Sequence, residues 1–269
     1  MKVLKNVILK GKPAASFSIV LLLFLLSGCA VRSVYIPVSQ NVPLFDSSKV
    51  LQATAYIGAN HIELQAAHNP IKKLAVSANI NFGSGISIYD LAVGTYGYNK
   101  NANWRYEIFG GYGYNSNFAF QTSNYNAVFN KPVKNYEVKS FYDKMYLQPS
   151  IGYFNFIKMY KLTYSFSLSA RLSALYYKIY SFKEIDDIAT KQLGYTVYLQ
   201  DKNYNNSFLY LLEPCITNKI GYRNFYAILQ GQAFIPYSQQ IDVSNSVFSQ
   251  GLLLSIGLQY HFVFKPKNR

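Results

Sequence analysis

The chain has 269 residues, half of them hydrophobic, with 26 Lys and Arg against 12 Asp and Glu and a formal charge of +14. Two cysteines are too few for a disulfide scaffold. The cations are scattered through turns, as at Lys72, Lys73, Lys131, Lys134, Lys139, Lys158 and Lys161, and gather only in the tail of Lys265, Lys267 and Arg269. That spread argues against a nucleic-acid interface and suits attraction to anionic head groups or lipopolysaccharide phosphates.

Aromatic content is 17%, with 26 Tyr and 19 Phe against one Trp, while charged residues make up only 14% where a quarter is usual. Tyrosine suits strands whose body is apolar and whose tip is wet, as in membrane barrels and in some soluble sandwiches. At the N-terminus Lys2, Lys5, Lys10 and Lys12 precede an apolar run from Phe17 to Leu26. The run is shorter than the about 20 residues of a permanent membrane helix and has the form of an export signal. Leu26-Ser27-Gly28-Cys29 resembles the lipobox of bacterial lipoproteins. By that resemblance residues 1–28 are a cleaved signal peptide, and Cys29 becomes the first residue, diacylated on sulfur and acylated on its amino group with fatty acids such as palmitate. Several acyl chains anchor far more firmly than one. Ala30 and Val31 lack the Asp that resembles an inner-membrane retention signal, which favours the Gram-negative outer membrane. No acidic export cluster follows either, so the anchor is expected on the periplasmic side.

Residues 29–49, with Pro37 and Pro43, show no sustained period and read as lipid anchor and periplasmic linker. Ten strand candidates follow over 50–264: Val50 to Gly58, His61 to Asn69, Lys73 to Phe82, Ile88 to Tyr98, Asn103 to Asn115, Asp143 to Phe154, Lys161 to Tyr180, Ser207 to Gly221, Asn224 to Pro236 and Gly251 to Phe264. A basic tail, 265–269, ends the chain. Connections after even strands are short, whereas the long ones, Ser116 to Tyr142, Ser181 to Asn206 and Tyr237 to Gln250, all follow odd strands. Outer-membrane barrels alternate short periplasmic turns with long outer loops on an even strand count. This parity predicts an all-β, antiparallel up-and-down transmembrane barrel of about ten strands, or eight if the first hairpin lies outside the wall.

The faces point the same way. In the fifth strand Trp104, Tyr106, Ile108, Gly110, Tyr112 and Tyr114 share one side, with aromatics at both ends. Ten residues at about 3.3 Å, tilted by about 40°, give a band roughly 25 Å tall. In the last strand Leu252, Leu254, Ile256, Leu258, Tyr260, Phe262 and Phe264 alternate with mostly small or polar partners. Here Gly257, Tyr260 and Phe262, spaced as Gly, two residues, aromatic, one residue, aromatic, resemble the C-terminal signal read by the barrel-insertion machinery of the outer-membrane β-barrel superfamily, although Val263 to Arg269 run past the usual stop. Asn41-Val42-Pro43-Leu44-Phe45 ahead of such a barrel resembles uncharacterised exported barrel lipoproteins, which adds no function.

With the aromatic side outward, the inward set contains Glu63, Asp90, Arg105, Glu107, Arg171, Glu213 and Lys219. Buried charges must be paired and hydrogen-bonded, so these are expected to form an interstrand network that plugs the lumen. The alternative is a narrow pore; barrels of about eight strands fill with side chains, which favours the plug. No enzyme, cofactor or metal motif emerges. Ser255 and His261 share a face but lie roughly 20 Å apart along one strand, and Glu184, Asp186 and Asp187 read as a solvated acidic turn. The expected role is non-catalytic: structural, or surface-binding through Tyr- and Asn-rich outer loops such as Asn124-Tyr125-Asn126 and Tyr204-Asn205-Asn206. Its expected partners are outer-membrane lipid and lipopolysaccharide, the insertion machinery, and a surface sugar or protein, with a channel for small solutes as the second reading and a lipid-modifying enzyme as the third.

Overall fold

The computed structural model describes residue 35 and residues 37–47, 49–57, 61–83, 85–101, 103–123, 134–157, 162–185, 192, 198–238 and 252–264. By its contacts the chain divides into Met1–Ala30 and Val31–Arg269, and every described residue belongs to the second unit. Cys29 and the basic tail lie outside the described residues, as do Asn124-Tyr125-Asn126 and Asp186-Asp187.

Twelve strands are described: β1 (Val50–Ile57), β2 (His61–Ile71), β3 (Leu74–Gly83), β4 (Ile86–Tyr98), β5 (Trp104–Ser123), β6 (Lys134–Ile157), β7 (Leu162–Ile185), β8 (Tyr198–Asn203), β9 (Ser207–Tyr222), β10 (Phe225–Ala233), β11 (Ile235–Tyr237) and β12 (Leu252–Val263). Ten of them form a closed antiparallel barrel. β1 to β7 follow in sequence, β9 pairs with β7, β10 with β9, β12 with β10, and β12 returns to β1 from Val50↔Val263 to Ile57↔Ile256. Because β1 pairs on both sides, the first hairpin belongs to the wall, and the count is ten rather than eight.

The registers give the shear. Across the hydrogen bonds from Leu51 the partners are His68, Val76, Val93, Gly110, Leu147, Leu172, Leu212 and Ile235. Ala227 pairs with Leu258 and Leu258 with Ala55, so Ile235 is level with a point eight residues beyond Ala55, twelve beyond Leu51. Ten strands with a shear of twelve imply a tilt of about 40° and a backbone radius of about 10 Å.

One element goes beyond the sequence reading: β8 pairs with the outer end of β7 from Ser181↔Asn203 to Ile185↔Tyr198. The ninth strand expected from Asn224 to Pro236 is interrupted at Phe234, and β11 continues β10 along β9 past it. β5, β6 and β7, of 20, 24 and 24 residues, also run far into segments expected as loops. The ladder continues there after the outward face has ceased to be uniformly apolar: outward Lys139 follows Phe141, while inward Val138, Ser140 and Tyr142 keep the period of two. A bulge between Phe141 and Tyr142 sets Lys178 outside the pairing, where its Nζ lies 2.8 Å from Asp143 Oδ2, and moves the inward set of β7 from Tyr177 to Tyr180.

Outside, the wall is apolar and ordered by height. Nearest the wall's own two ends, Trp104 stacks edge-on with Tyr153 at 5.3 Å, Phe225 with Tyr260 at 4.7 Å, and Tyr260 with Phe262 at 4.5 Å. Above them come exposed aliphatics such as Leu91, Val93, Ile108, Leu168, Ile216 and Leu258, and higher again a second set of exposed rings, Tyr89, Tyr112, Tyr210 and Tyr237. Glycine admits the inward rings: a Cβ on Gly257 would meet the ring of buried Tyr56, its cross-strand partner, at 2.6 Å.

Candidate functional site: the lumen and its threaded segment

The lumen is filled by the chain's own N-terminal segment. Read from the sequence as a linker outside the wall, the segment carrying Val38, Ser39, Gln40, Val42, Leu44 and Phe45 has each of these residues 3% exposed or less, inside the barrel. An extended strand lying along a dry lumen has no ladder neighbour, so its backbone polar groups need side-chain partners. The wall supplies them one by one. Six consecutive carbonyls each accept from a different strand: Ser39 from Gln65 Nε2 (2.8 Å), Gln40 from Gln230 Nε2 (3.0 Å), Asn41 from Gln148 Nε2 (2.7 Å), Val42 from Lys219 Nζ (2.7 Å), Pro43 from Gln52 Nε2 (3.1 Å) and Leu44 from Arg105 Nη1 (3.2 Å). The amides do likewise. Ser39 N donates to Glu63 Oε2 (2.9 Å), Gln40 N to Gln230 Oε1 (2.7 Å) and Leu44 N to Glu107 Oε2 (2.7 Å).

Glutamine suits this task because one side chain carries both a donor and an acceptor. Gln230 uses both on Gln40 and shares its Nε2 with Thr217 Oγ1, 2.9 Å away. The side chain of Gln40, wholly buried, donates to Glu213 O and accepts from Ser169 Oγ at 2.8 Å.

The seven charged residues expected on the inward face, Glu63, Asp90, Arg105, Glu107, Arg171, Glu213 and Lys219, all line this lumen, with the bonding divided between the threaded segment and the wall. Glu63 holds Ser39, Gln65 and Asn79. Glu213 accepts from Tyr35 Oη, Ser173 Oγ and Gln232 Nε2. Arg105 donates to Leu44 O, pairs with Asp46 at 2.8 Å and covers the Phe154 ring at 3.5 Å. Arg171, 2% exposed, donates Nε to Gln148 Oε1 and lies over Tyr146. Asp90 pairs at 2.8 Å with Lys144, both side chains at most 3% exposed. Lys144 is the charge that sequence reasoning missed, although it keeps the period of Gln148 and Ser150 on the inward face of β6.

Apolar contacts complete the filling. Phe45 lies against Tyr96 at 5.4 Å in a cluster with Val50, Ala67, Ala75 and Phe109, Val42 and Leu44 pack on Phe154, and Tyr35 contacts Tyr142 at 6.2 Å and Phe234 at 6.0 Å. At the exit towards β1, Leu44 and Lys49 take left-handed backbone conformations (φ 47° and 64°). Asn69 clasps the turn, accepting from Val50 N at 2.6 Å and donating to Ser47 O and Tyr96 Oη. Beneath it a polar recess of about 370 Å³ is lined by Asp46, Arg105, Asn155, Arg223, Tyr226 and His261.

The pairs weighed for catalysis are engaged elsewhere. Ser255 Oγ accepts from Ser39 Oγ at 2.9 Å, while His261 bonds Gln259 and stacks on Tyr226 at 4.3 Å. Among the described residues no group of three His, Cys, Asp or Glu could hold a metal ion. Of the loop motifs, Tyr204-Asn205-Asn206 turns β8 into β9, with the Tyr204 ring tilted against that of Tyr180 at 5.2 Å and Asn206 Oδ1 accepting from Tyr176 Oη. Tyr260 and Phe262 point outward at the terminal rim, and Gly257 backs Tyr56. No protein-family model matches the chain, and no curated protein matches it.

Proposed function

We propose that this protein is a sealed, lipid-anchored outer-membrane barrel whose work is done at its loop-side surface, in a structural or binding role and without catalysis. The filled lumen carries this reading: nine main-chain groups of residues 39–44 are held by side chains of the surrounding wall, and Ser39, Gln40, Val42 and Leu44 are at most 3% exposed. The outer face supports a lipid setting. A contiguous band of exposed aliphatic side chains between two tiers of aromatics is far larger than the apolar patches of soluble monomers and matches the girdles of a membrane barrel. The lipobox-like Cys29 adds the anchor, and the parity of the connections directs the long loops outward. Lipopolysaccharide, a surface sugar or a surface protein is the ligand class that the Tyr- and Asn-bearing loops fit.

A fusion of residues 30–269 to an unlipidated export signal tests the setting. It remains in the carbonate-washed outer membrane if the wall is lipid-embedded, and its recovery in the soluble fraction would sink the reading. The same protein with connection 239–250 shortened to a four-residue turn is expected to lose retention of lipopolysaccharide vesicles. Undiminished retention would move the binding role away from that loop.

A further inference from the structure

We infer that the threaded segment carries the acylated amino terminus out through the loop-side mouth, so that the anchor sits in the leaflet the loops face. The inference rests on the membrane and lipobox readings above and reverses the periplasmic placement expected from the sequence alone.

The direction of threading is given by the contacts. Leu44 bonds Arg105 and Glu107, the second and fourth residues of β5, at the end of the wall where both its termini lie. Val42 meets Lys219, three residues from the end of β9. Gln40 meets Gln230, five residues into β10. Tyr35 donates to Glu213, nine residues above the end of β9, and touches Phe234 and Tyr142 higher still. Nine residues at about 3.3 Å and a tilt of about 40° put Glu213 roughly 23 Å above the terminal rim, close to the height of a full apolar band.

Cys29 is six residues before Tyr35 and can lie at most about 20 Å from it. A return to the terminal mouth would need more chain than that, and a second strand beside residues 38–45. Residues 38–45 already occupy the space between the wall's inward side chains, with Val38, Ser39, Gln40 and Leu44 at most 1% exposed. The remaining exit is the loop-side mouth. Its rim is uneven: β6 and β7 have 24 residues, whereas β1 has 8, and Leu253 of β12 packs against the cluster that contains Tyr35. Eight tilted residues rise only about 20 Å, so the low edge at β1 and β12 lets acyl chains on Cys29 reach lipid at the outer interface.

The test is labelling with a membrane-impermeant maleimide on intact and on opened cells, using the lipidated full chain. Four variants are compared: Ser33→Cys and Val31→Cys before the segment, Ser246→Cys in the 239–250 connection, and Lys267→Cys in the tail. The inference expects Ser33→Cys or Val31→Cys to label on intact cells as fully as Ser246→Cys, with Lys267→Cys silent until the cells are opened. Label at Ser246→Cys with none at residues 31 and 33 on intact cells overturns the inference while the membrane reading stands. Label at Lys267→Cys on intact cells, or at no position until opening, overturns the membrane reading and the inference with it.

Discussion

At the scale of single residues the lumen shows why inward charges survive in a dry interior. Asp90 and Lys144 are paired at 2.8 Å with almost no solvent contact. Removing one partner of such a pair leaves an uncompensated buried charge and costs about 3–5 kcal/mol, whereas an apolar replacement of both is often close to neutral. Lys144→Met is therefore expected to lower the urea midpoint sharply, and Asp90→Leu added to it to recover most of the loss. Equal destabilisation by the single and double variants would deny the pair. Gly257 makes a different demand. Gly257→Val should push Tyr56 from its site at a cost of about 1–3 kcal/mol, recovered in part by Tyr56→Ala, as read from unfolding midpoints. The inward faces were legible because a period of two assigns every other residue to one side of a wall. Glu63, Gln148, Glu213 and Gln230 all fall inside as that period requires. Their partners were not legible, because side-chain type fixes what a group needs and not which segment will meet the need.

At the scale of elements, the threaded segment is the feature the sequence concealed. Asn41-Val42-Pro43-Leu44-Phe45 has no alternation, since it is surrounded on all sides and has no wet face to mark. The signal that could have found it lies in the wall. Gln52, Gln65, Gln148 and Gln230 point into the lumen from four strands, more amide capacity than the inward charges of the wall itself call for. Gln230→Leu strips both main-chain partners from Gln40, and each buried group left unsatisfied costs about 1–3 kcal/mol. The urea midpoint should fall and amide exchange of Gln40 should accelerate; unchanged exchange would mean that the segment does not depend on the wall. The strand pattern was legible for the ten wall strands and failed at β8 and at the outer ends of β5 to β7. There both faces become mixed, and only the ladder continues.

At the scale of the whole molecule, a barrel of ten strands and shear twelve encloses enough space for one extended chain and its side-chain partners, and this protein fills that space with itself. The inverted arrangement, apolar outside and polar inside, carries the membrane reading. Leu168 is half-exposed in the aliphatic tier of β7, so Leu168→Arg should cost about 2–4 kcal/mol in a bilayer, as measured by folding into lipid vesicles. A barrel facing water would tolerate it. The most direct test of the central claim, a lumen sealed by residues 38–45, is single-channel conductance of the purified protein in a planar bilayer beside a variant with those eight residues replaced by Gly and Ser. The claim predicts a silent wild type and an open, steadily conducting variant; steady conductance of the wild type at the level of the variant would contradict it.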